Sequence, residues 1–141
     1  MSDVMTTQAG DAGAFRDFDL SRVPTPSFVV DEKAIERNLK ILADVSEQSG
    51  AHILAALKAF SMFSLAPLVR KYLSGACASG LYEARLAREE YGGDVATFCA
   101  GYKDSEIDDI IALSDHMIFN SPAQKDRFLT KCQTAGRQVG L

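Results

Sequence analysis

The sequence has no long apolar run: its uninterrupted apolar stretches, such as residues 53–57, reach only five residues. A helix that crosses a bilayer needs about 20 apolar residues, so we expect no membrane span. The first twenty residues also lack the basic start and apolar stretch of a signal peptide. Export is therefore not indicated, and we expect a cytoplasmic protein.

An excess of basic residues is missing as well. The 141-residue chain has 15 Lys and Arg against 19 Asp and Glu, for a net charge of −4. Because nucleic-acid binding depends on clustered positive charge, nucleic acid is a poor candidate partner. With 47% hydrophobic and 24% charged residues, the composition is that of one globular domain, or part of one.

Cysteine and histidine are scarce and unpaired. Cys77, Cys99 and Cys132 form no CxxC motif, so we interpret them as buried or idle thiols in a reducing compartment. His52 and His116 stand alone on apolar segments, where packed histidines are more common than ligands. No metal site is predicted.

Apolar, strand-like runs alternate with segments of helical periodicity every 20 to 30 residues. The pattern predicts strands at residues 27–31, 51–60, 75–79, 95–100 and 116–120, and helices at 32–48, 65–72, 81–93, 104–114 and 122–136. Residues 137–141 look like the start of a sixth strand. This alternation is typical of a parallel sheet covered by helices, so the predicted class is α/β.

Two closures fit that alternation, an open doubly wound sheet and a (β/α)8 TIM-type barrel. Neither GxGxxG nor GxxxxGK[ST] follows a strand, which favours the barrel. A whole barrel takes about 250 residues. We therefore expect residues 1–22 to be a disordered leader and residues 23–141 to be the amino-terminal part of a barrel, truncated before closure.

Lys58 is the most conspicuous polar residue, since it directly follows the apolar run that ends in Leu57. Burial beside apolar neighbours would lower the pKa of its amine and allow it to attack a carbonyl. The alternative is a lysine that extends from the strand end into water.

A second candidate group lies in residues 77–93. Ser79 or Gly80 is placed to cap the helix, with Glu83 in its first turn. A functional interpretation puts Ser79 and Glu83 at the mouth of the site, with Glu83 near Lys58. Capping explains them equally well, and loop and cap chemistry also explains the polar residues that follow the later strands, at 102–104 and 120–121.

Five ordered blocks carry a resemblance that periodicity cannot supply: PTPSFVVDE (24–32), ALKAF (56–60), CASGLYEARLAREEYGG (77–93), YKDSEID (102–108) and DHMIFNS (115–121). They resemble the amino-terminal half of the carboxynorspermidine (carboxyspermidine) decarboxylases, which are fold-type III pyridoxal 5'-phosphate enzymes. The resemblance implies an alanine racemase-like barrel and a carboxyl-terminal β-domain that this chain lacks. Relatives acting on alanine, ornithine or diaminopimelate commonly have Asn at the position of Phe60. Phe at this position is usual for the carboxynorspermidine branch, so the resemblance is to that branch.

The resemblance implies that Lys58 holds pyridoxal phosphate covalently, and we predict Ser79 and Glu83 as further cofactor-binding residues. It implies decarboxylation of a carboxylated polyamine to norspermidine or spermidine, in a protein that is a homodimer at full length. A fragment alone is expected to be inactive. Two alternatives stay open, another fold-type III amino-acid decarboxylase or racemase and a non-catalytic α/β binding module.

Overall fold

A computed structural model describes residues 13–136 and 138–141. It divides into two compact units, one ending at Ile35 and one running from Glu36 to Leu141. In the first unit, single 3₁₀ turns form at Gly13–Phe15 and Leu20–Arg22. Of the predicted disordered leader, residues 1–12 lie outside the described residues, and the remainder contains these two turns.

The predicted strand at residues 27–31 is wrong. None of the strand pairings within the described residues includes this segment, and the Phe28 side chain is 96% exposed. An apolar, β-branched stretch becomes a strand only where a neighbour accepts and donates its backbone hydrogen bonds. Here the segment leads directly into a helix instead.

Helix α1 covers Glu32–Ser49, as the periodicity predicted. The Asp31 carboxylate accepts a hydrogen bond of 3.0 Å from the Ala34 amide, which satisfies a free donor of the first turn. Gly50 ends the helix with a φ of +70°, a conformation that costs glycine little.

The sheet contains four parallel strands, which follow one another in chain order. They are β1 Leu54–Ala56, β2 Gly75–Ala78, β3 Asp94–Cys99 and β4 His116–Phe119. The helices that follow them are α2 Ala66–Val69, α3 Leu81–Leu86, α4 Ile107–Leu113 and α5 Pro122–Gln133. A π-helical segment, Ala87–Tyr91, continues α3. The α/β prediction is confirmed, although α2 is shorter than the predicted helix because turn-type hydrogen bonds replace it after Val69.

The strand order distinguishes between the two architectures that fitted the sequence, a doubly wound sheet and a (β/α)8 barrel. A doubly wound sheet reverses direction at a switch point, whereas each step here goes to the next strand on the same side. Because parallel crossovers are right-handed, such steps place the helices on one face of the sheet and leave the other for a barrel interior. The chain then begins another parallel strand, since Gly140 bridges to His116 at the outer edge of β4. This agrees with the strand start predicted at residues 137–141.

The hydrophobic core lies between the sheet and its helices. Alternate strand residues face it, and they are fully buried: Ala76, Val95, Thr97 and Met117. A cluster of helix and loop residues packs with Met117, comprising Tyr102, Ile107, Ile110, Ile111, Phe128 and Cys132. No helix within the described ranges has the length and apolar character needed to cross a membrane.

The amino-terminal ends of β3 and β4 are joined by Arg88. Its guanidinium donates to the Leu113 carbonyl at 2.7 Å and forms an ion pair of 2.7 Å with Asp115. The same carboxylate accepts from the Val95 amide at 2.8 Å. Nearby, a Cβ on Gly75 would collide with the carbonyl of Asp94, so β2 and β3 approach there as only glycine allows. These contacts stabilise the end of the sheet opposite Lys58.

Candidate active site

Lys58 lies in a tight turn directly after β1. The Ala56 carbonyl accepts from the amides of Ala59 at 3.0 Å and Phe60 at 3.1 Å, which closes the turn. The predicted strand therefore ends at Ala56 rather than at Phe60. The Lys58 side chain is exposed, so the burial assumed in the sequence-based prediction is absent from this structure. In the part of the chain that the structure describes, its amine forms no ion pair or hydrogen bond.

Lys58 and Ser79 follow neighbouring strands at the carboxyl edge of the sheet. Ala56 pairs with Cys77, and the Leu57 amide donates to the Cys77 carbonyl at 3.1 Å, so contact between the two segments continues to Leu57. Lys58 and Ser79 each stand two residues beyond that last pair, Lys58 in the turn after β1 and Ser79 directly after β2. Because paired strands lie about 4.8 Å apart, both residues come to the same part of this edge.

The open face of the sheet continues from there to Phe98 and Ile118, which pair with each other on β3 and β4. Their side chains are 36% and 42% exposed. The register level beneath them contains three small residues, Ala56, Cys77 and Ala96, and ends in the exposed His116 on β4. Lys58 thus stands at the rim of a shallow, mostly apolar surface.

Gly80, and not Ser79, is the N-cap of α3. The Glu83 carboxylate reaches back and accepts from the Ser79 amide at 2.8 Å. Glu83 is the third residue of the helix, and it binds the amide of the residue before the N-cap, whereas in a capping box the amide bound is that of the N-cap itself. Ser79 and Glu83 therefore do lie together, as predicted, but Glu83 contacts the Ser79 backbone rather than the Lys58 amine.

Cys99 is the member of this group that the sequence did not identify. It is half-buried at the end of β3, and its thiol donates to the Ser79 carbonyl at 3.2 Å. Burial raises the pKa of Cys99, and the carboxylates of Glu106 and Glu83 raise it further. Its position at a strand end could have indicated a site residue. Because no CxxC motif is present, the sequence supported only the interpretation as a buried or idle thiol.

The polar residues after β3 and β4 serve the fold. The Tyr102 hydroxyl is 2.8 Å from the Thr97 carbonyl and 3.0 Å from that of Ile118, and burial raises its pKa. The Ser121 hydroxyl accepts from the Gln124 amide at 3.2 Å and caps α5. The hydrogen bonds of Tyr102 and Ser121 therefore agree with the interpretation of these residues as loop and cap residues.

The residues at this edge fit an aldehyde cofactor. Covalent attachment requires an amine that is accessible and free of an ion pair, as that of Lys58 is within the described segments. A Cβ built on Gly80 would meet nothing within 4 Å, so space is open beside Ser79. The small-residue row leaves room for a ring over the sheet.

No protein-family model matches the chain. Curated relatives do match, and they confirm the resemblance that the sequence blocks carried. The chain is 39% identical over 106 residues to a carboxynorspermidine/carboxyspermidine decarboxylase of Herminiimonas arsenicoxydans, covering 75% of this chain and 29% of that protein. It is 38% identical over 112 residues to the enzyme of the same name from Campylobacter jejuni, covering 79% and 29%.

A third relative carries a different name. Carboxyaminopropylagmatine decarboxylase of a Synechocystis species is 36% identical over 122 residues, covering 86% of this chain and 32% of that protein. The chain therefore spans about 30% of the length of the curated relatives that it matches.

Solved structures agree with the sequence matches. Campylobacter jejuni carboxynorspermidine decarboxylase, solved with norspermidine, superimposes with a TM-score of 0.76 at 39% identity, covering 79% of this chain and 30% of that one. D-threonine aldolase from Filomicrobium marinum gives a TM-score of 0.72 at 18% identity, covering 85% and 34%, and shows the fold alone. These superpositions, together with the four-stranded parallel sheet, confirm the predicted α/β fold of a partial barrel.

Proposed function

We propose that this chain is the amino-terminal part of a pyridoxal-phosphate-dependent decarboxylase of carboxylated polyamines. One observation carries the proposal. An accessible lysine stands beside Ser79 at the carboxyl edge of a chain-ordered parallel sheet, within a sequence that is 39% identical to such a decarboxylase over 106 residues. In parallel α/β folds, this edge is where ligands bind.

Lys58 is proposed to be the residue that would hold the cofactor through its amine and to transfer a proton at the reacting carbon of the substrate. Ser79 is proposed to contact the cofactor from the neighbouring strand, and Glu83 to act on it through the Ser79 backbone that it binds. The bound cofactor would supply the electron-withdrawing ring that accommodates the charge left when CO2 departs.

The proposed substrates are carboxynorspermidine and carboxyspermidine, with norspermidine or spermidine as products. The Synechocystis relative is named for a carboxyaminopropyl derivative of agmatine. Its name supports the same type of substrate, one that differs only in the part of the molecule distant from the carboxyl group. Several ammonium groups on such a substrate call for acidic side chains in the site. We also propose that the complete protein is a cytoplasmic homodimer with a carboxyl-terminal β-domain.

Competition between substrates tests this proposal. A complete protein carrying this segment should show higher kcat/KM for carboxynorspermidine or carboxyspermidine than for ornithine, lysine or diaminopimelate. Preference for ornithine or diaminopimelate would assign the chain to another fold-type III branch. A protein that takes up no pyridoxal phosphate would instead be a non-catalytic α/β binding module.

A further inference from the structure

The backbone of Ser79 is held on both sides. Its amide donates to the Glu83 carboxylate at 2.8 Å, and its carbonyl accepts from the Cys99 thiol at 3.2 Å. A residue has one backbone donor and one backbone acceptor, so both are engaged by side chains. The Ser79 hydroxyl, by contrast, has no hydrogen-bond partner in the described residues, and the space beside it at Gly80 is open.

The two side chains come from different elements. Glu83 lies in the first turn of α3, whereas Cys99 ends the neighbouring strand β3. The two peptide groups that flank Ser79 are therefore held separately, the preceding one by the helix that follows and the following one by the next strand of the sheet. With both peptide planes held, the φ and ψ angles of Ser79 have little freedom, because rotating either plane would break its hydrogen bond.

Cys99 is suited to donate rather than to react. Burial raises the pKa of its thiol, and the Glu106 and Glu83 carboxylates act in the same direction, so the thiol keeps its proton near neutral pH. Reactive cysteines have the opposite surroundings, with positive charge nearby and a lowered pKa. A thiolate at this position would also be repelled by the carbonyl oxygen that it now binds.

We propose that Cys99 is a positioning residue, which fixes the Ser79 backbone together with Glu83 and thereby keeps the Ser79 hydroxyl directed to the ligand beside Lys58. Ser79 directly follows β2, the strand paired with β1, so a movement of its backbone changes the surface of the sheet edge at which Lys58 lies. The inference rests on the proposed function, because it takes that ligand to be pyridoxal phosphate.

Hydrogen exchange of the Ser79 amide in the 141-residue chain, measured in dilute solution, tests the positioning role without any cofactor. Cys99→Ala should accelerate exchange on the order of fivefold, the loss expected for one modest hydrogen bond. Cys99→Ser keeps a donor and should restore most of the protection. Cys77→Ala is the matched control: Cys77 is also half-buried, and no hydrogen bond of its thiol is seen in the described residues.

Equal Ser79 exchange in folded Cys99→Ala and Cys77→Ala would overturn the proposal. If Cys99→Ala does not fold, alkylation of the unmodified chain decides instead. Cys99 should react more slowly than Cys77 at neutral pH and gain reactivity only at higher pH. Faster modification of Cys99 would show a thiolate and exclude the donor role.

Borohydride trapping of added pyridoxal phosphate, done on a complete protein that carries this segment, separates this inference from the proposed function. Both stand if the trapped yield at Lys58 falls in Cys99→Ala and recovers in Cys99→Ser. The positioning role fails alone if all variants trap equally and Ser79 exchange is unchanged. If no variant traps the cofactor while Ser79 exchange still responds, the proposed function fails and the effect of Cys99 on the Ser79 backbone stands.

Discussion

The hydroxyl of Thr97 lies 2.7 Å from the hydroxyl of Ser114, and both side chains are completely buried. Thr97→Val leaves the Ser114 hydroxyl without its partner and should lower the free energy of unfolding by about 1–3 kcal/mol. Adding Ser114→Ala removes the orphaned group, so the double variant should be more stable than Thr97→Val alone. Urea unfolding of the four proteins forms a double-mutant cycle, and additive losses would contradict the coupling.

In a complete protein that carries this segment, Lys58, and no other lysine of residues 1–141, should carry pyridoxal phosphate. Borohydride reduction should leave a pyridoxyl group on the peptide containing ALKAF. Lys58→Ala should abolish that adduct, and so should Lys58→Arg, because a guanidinium stays protonated. Lys103→Ala is the control, since Lys103 is exposed and pairs with Glu106 at 2.8 Å. Recovery of the adduct on the Lys103 peptide would mean that the site residue has been misassigned.

The 141-residue chain alone should release no CO2 from carboxynorspermidine and should self-associate as its concentration rises. Its described sheet has an exposed face bearing Phe98 and Ile118, and unpaired strand edges attract other chains. Light scattering and a CO2-release assay check both expectations. A monodisperse and active preparation would contradict them.

Acid should weaken the contacts of Glu36. The Tyr72 hydroxyl, which donates to it at 2.6 Å, and the charge of Lys40 hold the pKa of Glu36 below its ordinary 4.5. A carboxyl with a lowered pKa in the folded state adds stability above the unfolded value, and this is lost as the pH falls through the folded value. The free energy of unfolding should therefore fall below about pH 4.5 less steeply in Glu36→Gln than in the unmodified chain.

Glu47→Gln, an exposed change on the same helix, serves as the control for that experiment and should keep the original slope. Parallel slopes for the unmodified chain and Glu36→Gln would show that the contact with Tyr72 adds nothing to stability.

The helices were predicted from the 3.6-residue repeat of their apolar positions, and the four strands of the sheet from short apolar runs between those helices. The apolar run at residues 27–31 did not become a strand, since strand formation depends on a partner as well as on β-branched residues. Strand order, which distinguished the two closures, is a property of the assembled sheet and leaves no trace in local periodicity.

The site was only partly predictable for a similar reason. Lys58 is conspicuous because it is charged and directly follows an apolar run, and Ser79 and Glu83 stand at a helix start. The Cys99 contact joins two strands, however, and its hydrogen bond to the Ser79 carbonyl spans 20 positions in the sequence. Nothing near Cys99 in the chain indicates that partner. The sequence left burial and exposure of Lys58 open, because its exposure follows from the tight turn after β1.

The chain order of the strands also bears on how the molecule is made. Paired residues of neighbouring strands are 19 to 21 positions apart in the sequence, as in Leu54 with Gly75, Gly75 with Asp94, and Ala96 with His116. Each of the four strands therefore pairs with strands that are close to it in the sequence. A ribosome adds about 5–20 residues per second, so each new strand emerges one to a few seconds after its partner. The sheet can therefore assemble vectorially during translation, each strand adding to an edge that the previous one has just formed.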